Sequence, residues 1–289
     1  MITDWKKAAR YGALAGAVIV LSAVSLHFTK APRADRNWSA GFEKSASFEE
    51  TAPGAYRLSN LRAFTHRNGA PPVASWTAVD LRPEDISEVW FFVEPFAASD
   101  LFAHTFVSFV FQPEDGPRRT VSVSVEARTE KGEPYSALRG VLRGFELSYV
   151  WSTEKDVVTR IAVGLQHPVY AYRIERDPEV AAVVFERFMR RTNALAEKPR
   201  FYNTIGSNCT NELFKAVNDA YPGSVKLSAP WLFTGRAARR LYEDDHIGRD
   251  AASFDDLREE ARIDDFAREN ASLEPEAFSR GWRAELAGN

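Results

Sequence analysis

Between Tyr56 and Glu175 the chain passes through a series of short segments rich in aromatic and β-branched residues, each closed by turn-forming residues. No other feature restricts the fold as strongly. YRLSNLRAF, ISEVWFFVEPF, LFAHTFVSFVFQ and TVSVSVEAR read as strands, and FELSYVW, VVTRIAVGL and HPVYAYRIE add further extended candidates. The character changes at Asp177, where Val180, Val183, Val184 and Phe188 fall at helical spacing and Pro178 occupies a helix's first turn. A second helix opens near Cys209. Strands first and helices afterwards predict an α+β fold, an antiparallel sheet packed against helices, rather than an alternating parallel-sheet architecture.

The N-terminus has a different character. Lys6, Lys7 and Arg10 precede an uncharged run over residues 11–28, and charge returns at Lys30, Arg33 and Arg36. A spanning helix needs about 20 apolar residues, so this run reaches across a bilayer if its flanking side chains snorkel or the bilayer thins. A cleaved signal peptide is the competing reading, but no A-x-A site follows the run. A lipoprotein signal is excluded, because no acceptor cysteine stands just after the run. Basic residues ahead of the run place residues 1–10 in the cytoplasm and the bulk of the chain outside. The expected organisation is a cytoplasmic tip (1–10), one transmembrane anchor (11–28), a polar linker broken by Pro32 and Pro53 (29–55), a catalytic domain (56–240) and an acidic helical arm (241–289) with few large apolar residues, packed peripherally.

Composition narrows the function. With 37 basic and 40 acidic residues interspersed, the net charge of -3 gives no field able to hold a polyanion, so nucleic acid is not an expected partner. The charged cluster of Glu243, Asp244, Asp245, His246 and Asp250 matches no metal-ligand spacing and reads as a solvated face; neither a metal nor a cofactor is expected. A single cysteine rules out any intramolecular disulfide and any site built from several thiolates. Cys209 is therefore either a core filler or a reactive thiol.

Its surroundings favour reactivity. In YNTIGSNCTNELFKAVNDAY, Asn208 is a good N-cap, and Leu213, Phe214, Val217 and Tyr221 form an apolar stripe, so Cys209 falls in the first helical turn. The unpaired N–H groups and the dipole of that turn stabilise a thiolate and suit an oxyanion. Asn208 and Thr210 flank the thiol, and Tyr202 and Asn203 extend the polar frame upstream. A space-filling cysteine does not need such a frame.

A thiol nucleophile needs a base. His27 lies in the apolar run; His66, His167 and His246 stand near breakers or charges and read as surface residues. His104 interrupts a run so apolar that its imidazole must be paired or must edge a cavity, as a satisfied core histidine or as the base. In TVSVSVEAR, Val121, Val123 and Val125 alternate with Ser122, Ser124 and Glu126, giving one apolar and one polar face. FQPEDGPRR reads as a turn, so residues 101–111 and 120–128 form a hairpin. If its paired numbers sum to about 230 or 232, Glu126 lies opposite or diagonal to His104, roughly 5–8 Å away at Cβ, and can orient the imidazole, with Ser124 on the same face. A plain salt bridge from Glu126 to Arg128 or Arg139 is the alternative.

NLRAF near residue 60, AHTFVSF around His104, SVSVEAR followed by YSALRG, and YNTIGSNCTNEL around Cys209 together resemble, over roughly residues 56–240, the periplasmic domain family named after the bacterial lipoprotein N-acyltransferase. The resemblance implies a permuted papain-like fold of the NlpC type, in which histidine precedes cysteine. It makes Cys209 the nucleophile, His104 the base and Glu126 the third member; the residues themselves place Asn208, Thr210, Asn203, Tyr202 and Ser124 around substrate and oxyanion. Together with the anchor over 11–28, the resemblance implies a single-pass inner-membrane protein whose periplasmic domain transfers or hydrolyses acyl groups of a membrane lipid or lipoprotein through a thioester. Family members credited with lipoprotein acylation carry a multi-helix membrane domain after this module, and no further apolar segment follows here up to Asn289. A cysteine amidase or peptidase acting on cell-wall peptide and an inactive binding module are the alternatives the same fold allows.

Overall fold

The computed structural model describes residues 11, 29–96, 101–225 and 233–288. Strands β1 (Ser47–Ala52), β2 (Ala55–Arg62), β3 (Thr65–Arg67), β4 (Ala70–Val73), β5 (Trp76–Leu81), β6 (Ile86–Pro95), β7 (Ala103–Phe111), β8 (Arg119–Arg128), β9 (Glu146–Thr153) and β10 (Tyr170–Arg173) come first. Among them lie helices α1 (Ala137–Val141) and α2 (Glu154–Thr159), and after them α3 (Pro178–Glu197), α4 (Cys209–Ala220), α5 (Ala237–Glu243), α6 (Phe254–Glu260), α7 (Asp264–Glu269) and α8 (Pro275–Gly288). The fold is α+β. The main sheet runs β1-β2-β9-β8-β7-β6-β10, with β5 also on β2 and β3-β4 as a separate hairpin. It is mixed rather than wholly antiparallel, because β2 and β9 pair in parallel at Arg62↔Ser152. Among the described residues no helix is long and apolar enough to cross a membrane, and the expected anchor lies outside them apart from Tyr11.

Strand β7 explains the two-layer core. All nine of its residues are buried, which a strand achieves only when neighbours pair both edges and helices cover both faces. Val107, Phe109 and Phe111 enter one apolar cluster with Phe185 and Phe188 of α3 and Phe214 of α4. Phe106 and Val110 enter a second with Val157 and Val158 of α2 and with Phe278 and Trp282 of α8. The valines of β8 face the first layer as their alternation predicts. Its serines face the second, where Ser122 bonds Ser108 at 2.6 Å.

Several segments differ from expectation. VVTRIAVGL is not extended: it forms α2 and a π-helical turn over Arg160–Leu165. Thr153 caps it by accepting the Asp156 N–H, and Val157, Val158, Ile161 and Ala162 then share one buried side. Spacings of one, three and four fit a helix as well as a strand when a run is this short. Order begins before Tyr56, since β1 is part of the sheet and the backbone N–H of Arg33 already bonds the buried Glu146. The buried stripe of α3 is Ala181, Val184, Phe185, Phe188, Met189 and Thr192, leaving Val180 and Val183 half-covered. The C-terminal helices close the second face: Trp282 stacks edge-on against Trp90, and its indole N–H and Arg283 both donate to the fully buried Glu154. The few large apolar residues of this acidic stretch are spent inward rather than at the periphery.

Candidate functional site

Asn208 starts α4 as the sequence indicates: its side-chain oxygen accepts the Asn211 N–H at 2.8 Å, and its amide donates to Thr204 O at 2.9 Å. The cap holds Cys209 in the first turn, and the Thr210 hydroxyl pins that turn to Thr105 of β7 at 3.0 Å. Helix α4 thus lies over the face carrying Thr105, while His104 points from the other. The β7–β8 pairing ends at Phe106↔Ser124, although β7 continues along β6 as far as Ala103, and there the Cys209 and His104 side chains hydrogen-bond. At that end Cys209 Sγ rests against the β7 backbone, 3.8 Å from Ala103 O.

The paired residues of β7 and β8 sum to 230, one of the two expected registers, and Glu126 comes to His104: Nε2 lies 3.3 Å from Oε1. Ser124 stands between them, its hydroxyl 2.8 Å from Nε2 and donating to Glu126 Oε1 at 2.8 Å. With Nε2 so engaged, Nδ1 is the ring nitrogen left for the thiol. The salt-bridge alternative for Glu126 does not hold, since Arg128 donates to Phe42 O and Arg139 pairs with Glu133.

The electrostatics follow from this arrangement. Burial opposes a charge on His104, but the Glu126 carboxylate and hydrogen bonding to Cys209 outweigh it and hold the imidazole well above its ordinary range. Burial pushes the Cys209 thiol up; hydrogen bonding and charge from His104, the Thr105 N–H and the Thr210 hydroxyl reverse this and leave it below a free thiol. Burial likewise raises Glu126, and the charge of His104, its hydrogen bond, Arg160 and Ser124 bring it well below the carboxylate range. Both shifts run in the direction of a thiolate beside an imidazolium.

The other expected residues divide. Tyr202 is buried; burial and then the adjacent Cys209 charge raise its phenol pKa, so it remains a hydroxyl donor near the sulfur. Asn203 turns back on its own loop, its side-chain oxygen accepting from Ile205 N and Gly206 N and its amide donating to Val141 O. Asn208 and Thr210 are occupied as cap and brace. Of the remaining histidines, His66 is not a surface residue: its side chain is buried, with Nε2 2.8 Å from Asp156, which also holds Arg62 at 2.9 Å. His167 is half-buried on Glu94 at 2.6 Å, and Glu94 is the β6 partner of His104. Sequence reasoning missed Thr105, whose amide reaches the thiol, and Glu94; neither carries a signal until the strand registers are known. Among the described residues no group of three or more His, Cys, Asp or Glu side chains is arranged to hold a metal ion.

An α+β domain in which a helix-borne thiol meets an imidazole and carboxylate on adjacent strands is the class that fold and site define. The chain belongs to the Lnb N-terminal periplasmic domain family, whose family model matches residues 73–239, more than half of its length. No curated protein and no solved structure matches it.

Proposed function

We propose that this chain is a periplasmic thiol acyltransferase or acyl hydrolase, held at the inner membrane by residues 11–28, working on a membrane lipid or lipoprotein through Cys209, His104 and Glu126 in a permuted papain-like arrangement. The observation that carries the reading is the placement of Cys209 in the first turn of α4, its sulfur 3.8 Å from Ala103 O beside His104, with Glu126 3.3 Å behind the ring. Cys209 Sγ attacks the carbonyl carbon of a lipid ester, and the carbonyl electron pair moves to oxygen. The N–H groups of the first turn of α4 and the Tyr202 hydroxyl receive that oxyanion. On collapse the C=O re-forms, the ester C–O bond breaks, and the departing alkoxide takes the proton of His104. A thioester remains on Cys209. An amine or water then attacks the thioester carbon, gives one proton to His104, and the thiolate leaves, restoring the ion pair. Glu126 stays ionised and orients the ring.

Full-length protein mixed with phospholipid bilayers is expected to gain one acyl mass on Cys209, lost in Cys209→Ala and strongly slowed in His104→Ala. Absence of any adduct from lipid, together with consumption of a cell-wall peptide digest, would replace this reading with a cell-wall amidase. Inertness toward both would leave a binding module.

A further inference from the structure

Beside the first turn of α4 lies a surface that solvation alone does not explain. Leu138 is 69% exposed, Leu142 49%, Ile205 51% and Tyr135 50%. Leu138 and Leu142 share one side of α1 and its C-cap at a spacing of four, and Ile205 tops the loop packed against that helix. Thr204 Oγ1 donates to Ala137 O at 2.8 Å, and the Asn203 amide reaches Val141 O at 3.4 Å. The same loop is clamped to the thiol's helix, because the Asn211 amide donates to Ile205 O at 2.7 Å. Four large apolar side chains thus stand outward from a helix and loop hydrogen-bonded to the first turn of α4. Isolated exposed leucines are ordinary, but a contiguous apolar patch marks an interaction surface.

The path of the N-terminal chain indicates what covers it. Arg33 is fixed by its backbone N–H to Glu146, and Arg36 bonds both Glu146 and Glu130. Residues 37–39 then run antiparallel to Thr129–Lys131, the segment leading into Tyr135 and α1. The apolar run ends at Phe28, five residues before Arg33. Five extended residues span at most about 18 Å. With that run in a bilayer, the edge of the domain carrying Arg33 and Glu146 cannot stand farther than this from the lipid. Phe145, next to Glu146, packs its ring on Tyr135 at 5.7 Å, so the patch belongs to the same edge.

Resting on the membrane-held reading above, we infer that Tyr135, Leu138, Leu142 and Ile205 form the face with which this domain lies on the lipid bilayer, turning the first turn of α4 toward its acyl donors. The partner is the lipid surface itself, entered by aliphatic side chains at the headgroup boundary.

The test uses the full chain in bilayers of phosphatidylethanolamine and phosphatidylglycerol, with a benzophenone amino acid at position 138, 142 or 205. Val73, equally exposed on the β3-β4 hairpin, serves as control. Irradiation is expected to give lipid adducts at the three patch positions at least about tenfold above position 73. Lipid adducts no stronger than the control, or adducts to another protein instead, overturn the inference. In parallel, the Leu138→Ser, Leu142→Ser, Ile205→Ser triple variant should acylate Cys209 from bilayer lipid at least about tenfold more slowly, yet react normally with a soluble short-chain acyl thioester. Equal loss on both donors assigns the patch to the integrity of the site and overturns lipid docking. Lipid adducts in a protein whose Cys209 accepts no acyl group uphold docking while refuting the acyl-transfer reading.

Discussion

Replacing Glu126 by Gln removes one charge and little volume, so its effect isolates the electrostatics behind the thiol. The carboxylate lies 3.3 Å from His104 Nε2. At that separation and an effective dielectric of about 20, its attraction for an imidazolium is at most about 5 kcal/mol. The Glu126 side chain retains 16% exposure, so solvent screening reduces this; about half is a working figure. The sign is fixed by the shifts. The raised pKa of His104 and the lowered pKa of Cys209 both widen the pH range over which the proposed ion pair forms. Without the carboxylate the imidazole titrates lower and stabilises the thiolate less, so that range narrows from both ends. The assay is the pH dependence of Cys209 alkylation by iodoacetamide, followed by mass, with near-UV circular dichroism to establish that the variant is folded. In Glu126→Gln the acid limb should move up, and the rate measured on that limb should fall at least about tenfold. A folded variant whose limb stays where it was would refute the claim that Glu126 sustains the pair.

Three further outcomes follow from the packing. Glu212 is fully buried among Tyr149, Arg191, Arg200 and Lys215, so Glu212→Ala should cost about 3–5 kcal/mol in chemical denaturation. Burial raises its carboxyl, but Lys215 and Arg200 bring it down to about 2 from 4.5; its stabilisation is therefore whole above about 4.5 and is lost as pH falls toward 2, a transition absent in the variant. Arg283→Met leaves the Glu154 charge buried without its bidentate partner and should cost about 3–5 kcal/mol, with faster amide exchange over residues 275–288; adding Glu154→Gln should restore part of it. A Cβ at Gly140 would strike Thr204 Oγ1, so Gly140→Ala should destabilise by about 1–3 kcal/mol, and Thr204→Ala in the same chain should relieve it.

The sequence by itself determined the local terms. Alternation in TVSVSVEAR fixed which side chains of β8 face the helices, Asn208 fixed the start of α4, and a lone cysteine in a polar frame directed attention to position 209. These follow from periods of two and 3.6 residues and from cap chemistry, which act within a few neighbours. It misread residues 157–165, where a short apolar run fits either period, and took His66 for a surface residue, because its partner Asp156 lies 90 residues away. Only the tertiary structure decided that the β7–β8 pairing stops at Phe106↔Ser124, and that a thiol over one face of the sheet hydrogen-bonds an imidazole on the other. That outcome depends on strand register and on where α4 docks, both set by how the two apolar layers close around β7. Side chains distant in the chain are brought together by packing that no single segment encodes.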